Sequence, residues 1–179
     1  VGISFNQTSH IEFTTLQDAG VNAVNIDKAF ASAMAIKTED ELANIAKACE
    51  IAEDAFNLLL PEIKEGMTET EVAALLEYNM RKLGAQGVSF DTIVAFGAHA
   101  SVPHYETGTT KLQFGDPILI DFGCKVNGYC SDITRTFLYG DDGEHEDFKK
   151  AYNAVLTAHN LVKEKLVSGM TGTQADAIA

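Results

Sequence analysis

The chain is short of basic residues. Lys and Arg number 13 against 26 Asp and Glu, for a formal net charge of −13. Nucleic acid and anionic membrane surfaces are bound by clustered Lys and Arg, so this balance argues against both as partners. Cysteine is scarce and odd in number, with only Cys49, Cys124 and Cys130. Such usage suits a reducing, cytoplasmic setting rather than a disulfide scaffold, and no four-ligand Cys/His pattern marks a structural zinc site. No apolar run approaches the ~18 residues that span a bilayer. The opening VGISFNQTSH has neither the basic start nor the apolar core of a signal peptide, and it lacks an initiator Met. Low-complexity segments and short-period repeats are also missing.

What is present is ordinary in bulk. The chain has 179 residues, 46% hydrophobic and 22% charged, enough for one good-sized core. Its most informative stretch is ILIDFGCKVNGYCSDITRTF, residues 118–137. Strand interiors disfavour Asp, yet Asp121 and Asp132 both fall inside this predicted hairpin. Asn127-Gly128 signals a two-residue type I′ turn. That turn sets Val126 opposite Tyr129, Lys125 opposite Cys130, Gly123 opposite Asp132 and Asp121 opposite Thr134. Side chains alternate faces, so Asp121, Gly123 and Lys125 share a face with Cys130, Asp132 and Thr134. The two aspartates become diagonal neighbours, roughly 7–8 Å apart at the backbone, with Gly123 leaving room opposite Asp132. Carboxylates so placed can grip two metal ions. The alternative is a solvated strand face carrying two unrelated carboxylates. Cys124 and Cys130 point to opposite faces in this register, so no disulfide joins them.

Around the hairpin the pattern is mixed helix and strand. Residues 1–30 read as short strand and helix pieces. Residues 38–60 form a helix, opened by a capping box at Thr38 and Glu41, striped by Leu42, Ile45, Cys49, Ala52, Phe56 and Leu59, and closed by Pro61. Residues 68–83 form a second, capped by Thr68 and Glu71, with Val72, Leu75, Leu76, Met80 and Leu83 on one side and Gly84 at its end. Residues 89–95 read as a strand, 97–110 as a loop, and 117–139 as the hairpin. A third helix follows the acidic loop of residues 140–146. Phe148, Tyr152, Val155, His159, Val162 and Leu166 line it, and Gly169 ends it. Thr171 and Gln174 look like another cap, but too few residues follow to nucleate a helix alone. The chain therefore reads as stopping within an element.

Four of these stretches resemble the pita-bread metallopeptidases, specifically the Xaa-Pro peptidase branch (prolidase and aminopeptidase P). IKTEDEL (36–42) and EGMTETEV (65–72) are similar to the starts of that family's first two catalytic-domain helices. SFDTIVAFG (89–97) with VPHY (102–105) resembles its strand and histidine loop. DFG (121–123) through SDITRTF (131–137) resembles its aspartate hairpin, with the family's spacing. The resemblance implies an α+β fold, the first half of a pita-bread catalytic domain with helices packed on a curved, mostly antiparallel sheet (residues 34–179), preceded by the tail of an N-terminal domain (1–33). It implies two divalent metal ions (Mn²⁺, Co²⁺ or Zn²⁺) as cofactors, with Asp121 and Asp132 as metal ligands. His104 would lie beside the metals and contact the substrate or the tetrahedral intermediate, and Thr134 would support the ligands. The implied reaction is hydrolysis of the peptide bond before proline in a small peptide with proline second. The full-length protein is expected to be a homodimer. The remaining ligands, one His and two Glu, lie further on in family members, so the chain as given is expected to be inactive. The family's arginine positions near the first helix read Ala35 and Ala46. Alternatives within the fold are a methionine aminopeptidase-like enzyme and a non-catalytic binding module, although a binding module has no need of both aspartates.

Several other residues have simpler readings. His99 reads as a surface loop residue and His159 as a packing histidine on an apolar stripe. Asp141, Asp142 and Glu144 read as a solvated turn, since the loop lacks a calcium ligand ladder. Asp91 caps or orients the histidine loop, and Cys130 is a small packing residue.

Overall fold

The computed structural model describes residues 1–140, 143 and 145–179. Asp141, Asp142 and Glu144, and with them the reading of the acidic loop, lie outside the described residues. The chain divides into two compact units, Val1–Ala46 and Lys47–Ala179.

In the first unit, β1 (Gly2–Ile3) and β2 (Val24–Asn25) pair in parallel, Gly2 opposite Val24. Parallel strands need a crossover, and α1 (His10–Asp18) provides it. Ser9 and Glu12 close a reciprocal capping box at its start. α2 (Asp27–Ala35) follows. The mixed strand-and-helix reading of residues 1–30 holds.

The second unit takes in α3 (Glu39–Leu59) from Lys47 onward, a second helix and antiparallel sheets. α3 starts where its capping box predicts: Thr38 N–H donates to Glu41, and Glu41 N–H donates to the Thr38 hydroxyl. Its buried face is Ala48, Ile51, Ala52, Ala55, Phe56 and Leu59. That stripe is rotated from the expected one, leaving Cys49 exposed. The small alanines allow close approach, and they carried no weight in a pattern read from large apolar residues. α4 (Glu69–Lys82) opens on the Thr68/Glu71 box and buries Val72, Ala73, Leu76 and Met80. Gly84, at φ +109°, takes the chain out of it.

The sheet follows. β3 (Gly87–Val88) lies before the strand expected at 89–95, and β4 (Ile93–Phe96) overlaps its second half. Ser89 belongs to neither: its N–H donates to the Gly123 carbonyl, and its hydroxyl lies 2.9 Å from the Cys124 carbonyl and 2.7 Å from the Ser131 carbonyl. β5 (Pro117–Phe122), β6 (Cys124–Val126), β7 (Tyr129–Cys130) and β8 (Ile133–Leu138) make the hairpin. Its register is the expected one: Val126 pairs with Tyr129, Lys125 with Cys130 and Asp121 with Thr134. The ladder is not continuous, however. It splits into two three-stranded sheets, β3-β6-β7 and β4-β5-β8.

Alternation along β5 decides which residues serve the core. Ile118, Ile120 and Phe122 are fully buried, whereas Pro117, Leu119 and Asp121 are only half-buried. The buried set joins Val94 and Phe96 from β4 in one cluster with the α3 and α4 residues. Phe56 stacks on Phe122 at 5.5 Å and meets Phe137 edge-on at 6.1 Å. Each large side chain so buried contributes about 1.5–3 kcal/mol.

α5 (Glu146–Lys165) and the five-residue α6 (Gly172–Asp176) complete the chain. α6 carries the Thr171/Gln174 capping box. α5 lies where the third helix is expected but stops at Lys165, before Leu166 and Gly169, and it buries no residue. Its stripe instead faces a cleft, and His159, expected to pack in a core, is exposed along that cleft. Among the described residues, no helix is long and apolar enough to cross a membrane.

Candidate functional site

Asp121 sits in the middle strand of β4-β5-β8, between Ile93 and Thr134. It projects from the face opposite the core, as the β5 alternation requires. Thr134 Oγ1 donates a 2.9 Å hydrogen bond to Asp121 Oδ1, which orients the carboxylate. Asp132 lies between β7 and β8, two positions before Thr134, and is exposed. The printed pairs on either side of it, Phe122 with Ile133 and Lys125 with Cys130, keep the expected register, but Asp132 itself falls in the gap between the two sheets.

Gly123 acts differently from expectation. A Cβ there would lie 1.9 Å from the Ser131 carbonyl oxygen and 2.8 Å from its carbon. It is a site of close backbone approach rather than empty space opposite Asp132. Ser131 is itself buried: its N–H donates to the Cys124 carbonyl, and its hydroxyl accepts from the Cys124 N–H at 3.0 Å.

As oxygen donors, Asp121 and Asp132 suit a hard divalent ion. They are two ligands only. Among the described residues, no group of three or more His, Cys, Asp or Glu side chains converges to hold a metal. The pair fits a divalent-metal site only as a partial ligand set.

The histidine loop begins with a 3-10 turn, Gly97–Ser101, lying against β4 and β5. His104 follows, exposed and with a left-handed backbone at φ +52°. That conformation costs a non-glycine residue roughly 1–2 kcal/mol, and such strain collects at functional positions.

The loop is tied down by a residue the sequence did not single out. Glu69, the first residue of α4, is fully buried. Its Oε1 accepts from Phe96 N–H (3.0 Å) and contacts His99 Nδ1 (3.0 Å). Its Oε2 accepts from the Tyr105 hydroxyl (2.9 Å) and Gly108 N–H (3.0 Å). The His99 and Tyr105 rings stack at 4.5 Å. His99 is thus a half-buried partner of the buried Glu69 rather than a loop residue without a partner. Partial burial, reinforced by Glu69, pushes the Tyr105 phenol up. No single-sequence signal marked Glu69, because acidic residues in a first helical turn are usually solvated partners of the helix dipole.

A cleft of about 850 Å³ opens beside this region. Gly97, Ala100 and Ser101 of the turn, Leu119 and Thr134 of the sheet, and the α5 side chains including Tyr152 and His159 border it. Asp121, Asp132 and His104 are not part of its lining, but Thr134 connects it to Asp121.

A mostly antiparallel sheet with helices against one face and carboxylates on the other has the build of a partial pita-bread hydrolase domain. The chain belongs to metallopeptidase family M24, whose sequence profile it matches over residues 43–179. It is 40% identical over 154 residues to a Xaa-Pro dipeptidase of Pyrococcus furiosus, covering 86% of this chain and 44% of the relative. It superimposes on an X-Pro aminopeptidase from Thermotoga maritima with a TM-score of 0.91 at 36% identity, covering 99% of this chain and 50% of that one. A Xaa-Pro dipeptidase from Bacillus anthracis gives a TM-score of 0.93 at 34% identity, again over 99% and 50%. The chain thus spans less than half the length of the curated relative and half the length of these solved structures.

Proposed function

We propose that this chain is the first half of the catalytic domain of a dinuclear-metal Xaa-Pro peptidase, with residues 1–33 ending a preceding domain. The observation that supports the reading is the hairpin register, with Asp121 opposite Thr134 on the outer side of β5 and Asp132 two residues before Thr134. The names of the Pyrococcus and Bacillus relatives supply the substrate class, a peptide with proline second.

Asp121 and Asp132 are the metal ligands on this half, and Thr134 orients Asp121 through its hydroxyl. When bound, the metal pair supplies Lewis-acid polarisation and a nucleophile available near neutral pH. Carboxylate donors favour Mn²⁺ over softer ions. His104 donates a hydrogen bond to the oxygen that becomes negative as the scissile carbonyl is attacked. A further His and two Glu are expected in the stretch over which relatives extend beyond this match. The three free thiols suit a cytoplasmic protein.

The test is hydrolysis of Xaa-Pro dipeptides and of longer peptides with proline second, using the full-length parent with and without Mn²⁺. Activity that depends on Mn²⁺ is expected. Asp132→Asn should lower kcat/KM by more than the 10–100-fold that loss of a supporting contact costs. An Asp132→Asn enzyme as active as the parent would remove the metal role.

A further inference from the structure

We propose that Glu69 is a positioning residue for His104, acting through the Glu69–His99–Tyr105 clamp; this rests on the role given to His104 above. A carboxylate offers about four acceptor sites, and here all four are taken, by Phe96 N–H, His99, Tyr105 and Gly108 N–H. Those partners span the loop from the last residue of β4 to beyond its tip. His99 and Tyr105 bracket the stretch that contains His104, and their rings close it by stacking. His104 is bonded directly to Tyr105, so the hydroxyl held by Glu69 Oε2 fixes the chain one residue away. The same segment is pinned a second time, where Thr70 N–H and Oγ1 both donate to the Gly108 carbonyl.

Burying a carboxylate is a costly way to hold a loop. An apolar plug of similar size often stabilises as well or better. What the carboxylate adds is geometry: each oxygen dictates the direction of two donors. The helix N-terminus at Glu69 compensates part of the desolvation. The left-handed backbone of His104 is the conformation that this clamp maintains.

The experiment is a double-mutant cycle in the full-length, metal-loaded enzyme, with Xaa-Pro dipeptide as substrate. Glu69→Gln keeps the shape but turns one acceptor oxygen into a donor, so two of the four partners lose their acceptor. Misplacing a reacting group by about 1 Å can cost on the order of 100-fold, so kcat should fall about 10–100-fold with KM within about threefold. Bound metal, counted by elemental analysis, should not change, because Asp121 and Asp132 lie on other segments. In a His104→Ala background, Glu69→Gln should cost less than about twofold more, since residues acting as a unit are non-additive. Equal losses from Glu69→Gln in both backgrounds, or no loss in the parent, overturn the proposal. If His104→Ala alone is as active as the parent, the role of His104 itself falls. If Glu69→Gln does not fold, Tyr105→Phe runs the same cycle. It removes one donor from the clamp, and a kcat loss confined to the His104 background supports the proposal, while an additive or absent loss refutes it.

Discussion

Replacing Gly123 by alanine tests whether the aspartate hairpin depends on backbone contact. The added Cβ would meet the Ser131 carbonyl oxygen at 1.9 Å, the Ser131 carbon at 2.8 Å and Ser89 Oγ at 3.0 Å. Real Cβ atoms essentially never approach such atoms closer than 3.0 Å, so the Ser131 backbone must retreat by about 1 Å, an overpacking strain worth about 1–3 kcal/mol. That carbonyl accepts from Ser89 Oγ at 2.7 Å, and the same residue holds the Ser131 N–H to Cys124 bond. Losing these two bonds adds about 0.5–1.5 kcal/mol each. Gly123→Ala should therefore destabilise the protein by about 2–6 kcal/mol, read as a lower denaturant midpoint at unchanged slope. The displaced segment ends at Asp132, so Mn²⁺ affinity in the full-length protein should fall with it. Gly128→Ala is the control: nothing lies within 4 Å of its Cβ, and only its φ of +85° opposes a side chain, a cost of about 1–2 kcal/mol with metal affinity unchanged. A Gly123→Ala loss below about 0.5 kcal/mol would refute the contact argument, since surface changes alone reach that size.

Phe56→Ala removes a ring packed on both Phe122 and Phe137 and should cost about 3–5 kcal/mol in chemical denaturation; a cost under 1 kcal/mol would mean that the α3–sheet contact is not part of the core. A disulfide reagent at pH 7.5 should titrate Cys49 and Cys130 quickly and Cys124 only after denaturation, because Cys124 is buried and burial pushes its thiol up. The native state thus holds the Cys124 proton more tightly than the unfolded one. Its contribution to stability is complete below the ordinary thiol value of about 8.5 and is lost as pH rises through the higher native value. Cys124→Ala should flatten the alkaline limb of the stability profile.

Legibility in the sequence followed the range of the interactions. The capping boxes at Thr38, Thr68 and Thr171 and the Asn127-Gly128 turn are local devices, and each sits where the sequence put it. The turn then fixed the register of β5 against β8, which brought Asp121 opposite Thr134 from sequence alone. Non-local effects were invisible. Ser89 stands outside both strands, and its hydroxyl meets carbonyls 35 and 42 residues away. His99 resembled a solvated loop residue because its partner, Glu69, is 30 positions distant. The α5 stripe was read correctly as apolar, but periodicity cannot say whether a partner lies against it, and here it borders an open cleft.

The residues that break local rules are few, and they occupy connected segments. An aspartate stands inside β5, a carboxylate is buried at the start of α4, and His104 adopts a glycine-like backbone. The turn leading to His104 lies against β4 and β5, and Glu69 holds the first residue of that turn's lead-in, Phe96, which also pairs with Ile118 of β5. Sequences that fold well are locally consistent except where function demands otherwise. In β5 the two demands are separated by alternation alone, with Ile118, Ile120 and Phe122 facing the core and Asp121 facing outward. A one-residue slip would exchange the faces, burying the carboxylate and exposing the core residues. The apolar side of the strand therefore enforces the position of its carboxylate, and the stability of the core and the placement of Asp121 are set by one register.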